Sequence, residues 1–329
     1  MKMRLSIQAA TLATLLAAGQ FPATAQSALQ APRFHHILLN STDPEAAAAF
    51  YMRQFANVSK ATWGGFPAVH VPTDTYLLFN KVNAPPASDM QETAIWHFGW
   101  QVIDVRQKYE FYKGHPDVHV SEMYTDDDSV VYINSDTIGG TRAETAEARA
   151  KGAKPLGGRG IMYIAGPDNA LIENVGNAPF TVERFNHVHM YQEDPYCAQI
   201  WYQKHLNADV APALVQNPQR TEANCKVPRG EKSFPALVHG GMYRAPGSGV
   251  VFDDVALNWA VTQLDKPLAS TKGHLVDRIG FSVTDLDAWN AKLKAEGVKF
   301  LEDTHRLGDT RALMIEGPSR EQIEIVESK

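Results

Sequence analysis

The sequence predicts an α+β fold built from four copies of one module: a strand, a helix and about three further strands. Three observations carry that prediction. Short alternating apolar segments recur at 34–38, 95–99, 185–189 and 276–280, and their third residues are His36, His97, His187 and Arg278. Seven residues after each stands Asp43, Asp104, Asp194 or Asp285, and eight residues further on Tyr51, Tyr112, Tyr202 or Leu293. Two copies also end alike, Gly166-Pro167-Asp168 running to Ile172-Glu173 and Gly317-Pro318-Ser319 to Ile323-Glu324. Offsets that repeat in this way mark an internal duplication of one structural unit.

Each element of the module has a physical reason. Alternation over five to seven residues is the pattern of a half-buried strand. The aspartates are placed to cap helix N-termini, and Pro44 and Pro195 suit a first helical position. Helices are therefore predicted at 44–55, 105–113, 195–206 and 286–296, the last with Trp289 and Leu293 on one face and Gly297 closing it. Short alternating segments follow at 68–71, 76–82, 160–165 and 312–316. An Ala/Glu/Arg-rich insertion at 141–154 reads as an extra helix, and the polar, proline-rich stretch 212–235 as a long loop. The run Asp126-Asp127-Asp128 lacks the spaced pattern of a calcium loop and reads as a solvated turn.

The chain has 329 residues, of which 44% are hydrophobic and 21% charged. That is a globular composition of about two domains' length. A formal net charge of −6 without a basic run argues against nucleic acid as a partner. Lys2 and Arg4 precede an apolar run that ends before Ala23-Thr24-Ala25, the pattern of a secretory signal peptide over residues 1–25. The mature protein is thus expected to be periplasmic or secreted, with no membrane partner. Cys197 and Cys225 meet an oxidising compartment there, which leaves a disulfide and two free thiols both open.

Alternation also places chemistry. His97 shares a strand face with Gly99 and Gln101, and His36 with Leu38. If the first strands of copies one and two come together, His36 and His97 converge, and Glu173 is the third member. Two imidazoles and a carboxylate on rigid strands make a divalent-metal site with open positions.

These residues resemble the vicinal oxygen chelate superfamily, which includes glyoxalase I, bleomycin-resistance proteins and extradiol dioxygenases. The likeness lies in the βαβββ repeat, the third-position His and the closing Ile-Glu, and covers 34–329. It implies modules paired into two cup-shaped mixed sheets, with metal ligands from first and last strands. It further implies an N-terminal domain at 34–180 holding one divalent ion (Zn, Ni, Co, Mn or Fe(II)) on His36, His97 and Glu173. A C-terminal domain at 181–329 would have lost its metal, because Arg278 stands where a His belongs and cannot ligate. The fourth ligand position of a glyoxalase falls near Phe79 and Asn80, neither of them a carboxylate.

The resemblance implies a glyoxalase-like isomerase or lyase acting on a small hydrophobic oxygenated molecule through an enolate-like oxyanion, with Glu122, Tyr163 or Gln101 as catalytic proton-transfer candidates. Trp63, Phe66, Phe79, Trp96 and Trp100 are candidates for an apolar wall. An Fe(II) ring-cleaving dioxygenase and a non-enzymatic small-molecule binder are the alternatives, and a homodimer is compatible with all three.

Overall fold

A computed structural model describes residues 29–89, 92–124, 130–136, 142–154, 157–176, 180–211, 220–228, 236–237, 244–262 and 266–328. The signal segment 1–25, the Asp126–Asp128 run and most of the 212–235 loop lie outside them. The first module is β1 (Arg33–Ser41), α1 (Pro44–Gln54), β2 (Ser59–Trp63), β3 (Phe66–Val71) and β4 (Thr75–Lys81). The second is β5 (Ile95–Gln101), α2 (Val105–Lys113), β6 (His119–Ser121), β7 (Met123–Tyr124), β8 (Val130–Val131), α3 (Arg142–Ala150), β9 (Ile161–Ala165) and β10 (Leu171–Val175). The third is β11 (Arg184–Gln192), α4 (Pro195–Leu206), β12 (Asp209–Val210), β13 (Ala236–Leu237), β14 (Arg244–Phe252) and β15 (Val255–Val261). The fourth is β16 (Val276–Val283), α5 (Leu286–Ala295), β17 (Phe300–Leu307), β18 (Thr310–Glu316) and β19 (Gln322–Glu327).

The repeated aspartates occupy the helix N-cap positions. Asp43, Asp104 and Asp285 accept from first-turn backbone N–H groups, whereas the Asp194 side chain makes no such bond. The repeated tyrosines and Leu293 are all fully buried, among the helix residues that lie against the sheets. Two of those tyrosines satisfy their hydroxyls inside: Tyr112 donates to Asn174 Oδ1 and Tyr202 to Glu321 Oε1. Burying a phenol is tolerable on that condition. The insertion at 141–154 is helical in part, as α3. Cys197 and Cys225 are joined, which ties the chain around 225 to α4.

Module pairing differs from the sequence expectation. Sixteen strands form two eight-stranded mixed sheets, ordered β17-β18-β19-β16-β1-β4-β3-β2 and β12-β14-β15-β11-β5-β10-β9-β6, and β13-β7-β8 form a small third one. Modules one and four share the first sheet, and modules two and three the second. The boundaries 34–180 and 181–329 therefore do not separate the two cup-like sheets: one is continuous in sequence and the other is split around it. One hydrophobic core spans both. Phe34 of the first sheet stacks on Phe185 of the second with ring centroids 5.6 Å apart, and Phe55, the C-cap of α1, stacks on Trp100 at 4.0 Å.

Each sheet is centred on one antiparallel pair, β1/β16 or β11/β5. In both a register shift precedes a histidine, between Phe34 and His36 and between Phe185 and His187. Such a bulge re-aims the following side chain. His36 is thereby set opposite Gly280, and His187 opposite Gly99. A Cβ on Gly280 would lie 1.9 Å from His36 Cε1, and one on Gly99 would lie 2.0 Å from His187 Cε1. Only glycine lets the ring cross the neighbouring strand.

The segments entering modules two and four lie side by side. Leu275 donates its backbone N–H to Ala87 O, and Ala269 donates to Glu92 O. Buried Asp89 accepts from Val276 N at 2.6 Å and from Thr93 Oγ1 at 2.9 Å. Burial pushes the Asp89 carboxyl up to about 8, against the lowering effect of those bonds. A carboxyl raised in the fold binds its proton more tightly there than in the unfolded chain. Its contribution to stability is full below the ordinary carboxylate range and is lost as pH rises through about 8. Urea unfolding between pH 6 and pH 9 should show a falling midpoint in the parent and a flatter profile in Asp89→Asn.

Candidate metal centre

Around Gly99 three strands bring ligand-type side chains together. His187 faces Gly99 from β11, Glu173 faces it from β10, and His97 stands two residues before it on β5. His189, opposite His97 in the register, completes the group. The ligand atoms of His97, Glu173, His187 and His189 all lie within 4.8 Å of one another. Phase along the strand explains the convergence, since residues two apart on β5 and β11 share one face.

Of the three sequence-predicted ligands, the structure brings together His97 and Glu173. It places His36 in the other sheet, 3.2 Å from Glu324, because β1 pairs with β16 and not with β5. His187 takes its place. The repeat offset had assigned His187 to a ligand position, but in a cup shared with Arg278. Arg278 Nε in fact lies 3.3 Å from Glu324 Oε1, in the sheet that holds His36.

The imidazoles are placed as ligands require. His97 Nε2 is 2.7 Å from Glu173 Oε2, and His187 Nε2 is 3.8 Å from the same oxygen. Yet neither Nε2, nor His97 Nδ1, has a partner in hydrogen-bond geometry among the described residues. The atoms approach one another without bonding, as donors aimed at a common point do. His187 Nδ1 lies 2.9 Å from Asn186 Oδ1, an acceptor, so this nitrogen carries the ring proton and Nε2 keeps its lone pair. Burial lowers His97, His187 and His189 to about 3, so all three are neutral at physiological pH. Neutral imidazole is the ligating form. The orphaned, buried nitrogens of His97 and His187 beside one carboxylate fit a divalent ion.

The three residues predicted for proton transfer are placed differently. Tyr163 donates its hydroxyl to Glu173 Oε2 at 2.6 Å. Burial, together with the charge and hydrogen bond of Glu173, raises the phenol well above its ordinary range. It therefore keeps its proton and orients the carboxylate, which is not the work of a base. Gln101 is spent at the far end of β5, where it donates to Val182 O and accepts from Arg184 Nε. Glu122, between β6 and β7, accepts from the Tyr132 hydroxyl and is not one of the four clustered residues.

Of the expected aromatic wall, Trp96 borders the cluster. Its ring centroid lies 4.5 Å from that of His97 and 5.2 Å from that of His189. Trp100 and Phe79 are core residues beneath α1, and Trp63 and Phe66 belong to the other sheet. Sequence reasoning missed Asn258. It faces His189 across β15/β11 as Glu173 faces Gly99 across β10/β5. The position where pseudo-symmetry would set a second carboxylate thus carries a neutral amide, and Phe79 and Asn80 lie in the other sheet.

No protein-family model matches the chain, and no curated protein matches its sequence. Solved structures do match. Glyoxalase I from Zea mays superposes with a TM-score of 0.56 at 13% identity, over 90% of this chain and 92% of that one. A putative dioxygenase from Bacillus subtilis superposes with a TM-score of 0.56 at 9% identity, over 91% and 86%. At such identities the likeness is one of fold. With four βαβββ modules in two cup-like sheets and a His/Glu cluster at the centre of one, this chain has the vicinal oxygen chelate fold.

Proposed function

We propose that this protein is an exported metal-dependent enzyme that moves a proton on a small oxygenated molecule, in the manner of a glyoxalase-type isomerase or lyase. The observation that carries the reading is the convergence of His97, His187 and Glu173 on one point, with both Nε2 atoms lacking partners among the described residues. A divalent ion held by His97, His187 and Glu173 would supply Lewis-acid polarisation of a substrate oxygen. The chain's own groups do the rest. Asn186 fixes the His187 tautomer, and Tyr163 holds Glu173 in orientation. Trp96 shields one side of the cluster. His189 sits outside the ligand positions that the repeat defines, the third residue of the first strand and the closing glutamate. It is an imidazole within reach of the same point, placed to accept and return the substrate's proton.

A second reading is favoured by Asn258. Two histidines and one carboxylate, with no second acid at the Asn258 position, match the donor set of non-haem Fe(II) oxygenases. Iron in the purified protein together with catechol-dependent O₂ uptake would select it over proton transfer. Export is supported by the 1–25 sequence pattern and by the Cys197–Cys225 disulfide, and N-terminal sequencing of secreted protein should begin after Ala25.

Metal analysis tests the centre. The mature parent should carry about one divalent ion per chain. Glu173→Gln and His187→Ala should lose it, and His36→Ala should keep it; loss from a folded His36→Ala protein, with retention in His187→Ala, would reverse the choice of cup. Asn186→Ala should weaken Co(II) binding by roughly 10- to 100-fold, the usual effect of removing a ligand's orienting partner. Asn186→Asp, which keeps the acceptor, should stay close to the parent. Equal affinities for the parent and Asn186→Ala would remove Asn186 from the site.

A further inference from the structure

We infer that the cup formed by modules one and four is a metal centre closed by its own cation: the Arg278 guanidinium stands where the other cup leaves room for an ion. This rests on the reading that His97, His187 and Glu173 hold a divalent metal.

The two centres correspond position by position. Gly280 is flanked by His36 on β1 and by Glu324 on β19, as Gly99 is flanked by His187 and Glu173. Arg278 stands two residues before Gly280, where His97 stands before Gly99. The centres differ in how the buried carboxylate is neutralised. Glu324 is 1% exposed and has Arg278 Nε at 3.3 Å from one oxygen and His36 Nε2 at 3.2 Å from the other. The guanidinium also meets Asp277 Oδ1 at 3.4 Å and lies 5.9 Å over the Phe66 ring. Glu173, by contrast, has two imidazoles and the Tyr163 hydroxyl around it, and among the described residues it has no arginine or lysine beside it, its ion-pair contacts being with His97 and His187 alone. A buried carboxylate without a cation is strongly disfavoured. One cup answers that demand with arginine, and the other sets two histidines and a glutamate that fit a divalent ion. Exchanging guanidinium for imidazole would therefore give the first cup the two histidines and one glutamate of the second, on the same backbone register.

The test uses the full mature chain and Co(II), read by equilibrium dialysis and by the visible absorption of the bound ion. Glu173→Gln silences the cup of modules two and three and should bind no Co(II). Adding Arg278→His should bring binding to one equivalent, and a further Glu324→Gln should abolish it. A folded Glu173→Gln/Arg278→His protein that takes up no Co(II) would overturn the proposal. Failure of the parent to bind Co(II) would instead count against the first cup, so the two failures are distinguishable. A second measurement covers a misfolded histidine variant. Arg278→Gln should lower the urea midpoint, and Arg278→Gln/Glu324→Gln should recover it. An Arg278→Gln protein as stable as the parent would show that Glu324 needs no cation and would equally sink the idea.

Discussion

A ring crossing a neighbouring strand over a glycine is the constraint on which the rest of this molecule depends. It occurs once in each sheet, His187 over Gly99 and His36 over Gly280, and each time at the central antiparallel pair. A bulge aims the histidine, and the absent Cβ admits it. The crossing also restricts which modules can pair. β5 and β16 carry glycine at the receiving position, whereas β1 has Leu38 and β11 has His189 there. A first strand with a crossing histidine thus needs a partner from the glycine-bearing set. Module one can join module two or four but not module three.

Both centres are then variations on one buried carboxylate. Glu173 is oriented by a phenol and has His97 and His187 beside it. Glu324 meets its counter-charge in Arg278, and Met314 occupies the register position that Tyr163 has opposite Glu173. The same duplicated framework therefore yields one cluster with four ligand-type side chains and one whose carboxylate has a guanidinium beside it. Asn258 and His189 widen the difference, because their counterparts Leu78 and Leu38 are apolar.

Much of this was legible in the sequence. The aspartate and tyrosine offsets gave four modules because helix capping and helix-face burial are local properties with fixed spacing. His97 and Glu173 were legible for the same reason, being tied to the first and last strands of one module. The partner of His97 was not. His36 and His187 occupy equivalent positions, both crossing over a glycine, and the local pattern does not choose between them. The choice is made by contacts between segments far apart in sequence, among them Asp89 with Val276 and Ala87 with Leu275. Asn186 was hidden differently: nothing in a His-preceding asparagine signals that a bulge will turn both side chains the same way.

The nested order of pairing, in which modules two and three close on each other inside a sheet made by modules one and four, has a consequence for assembly. In a chain delivered from its N-terminus, the inner sheet has both partners early, and the Cys197–Cys225 link falls wholly within it. β1 has to wait for β16, almost the whole chain later. Until then its apolar strand face and open edge are available to other chains, and closure requires a contact of very long range, the slow kind. Maturation of the outer sheet, not of the one that carries the His/Glu cluster, is where a holding chaperone would be needed.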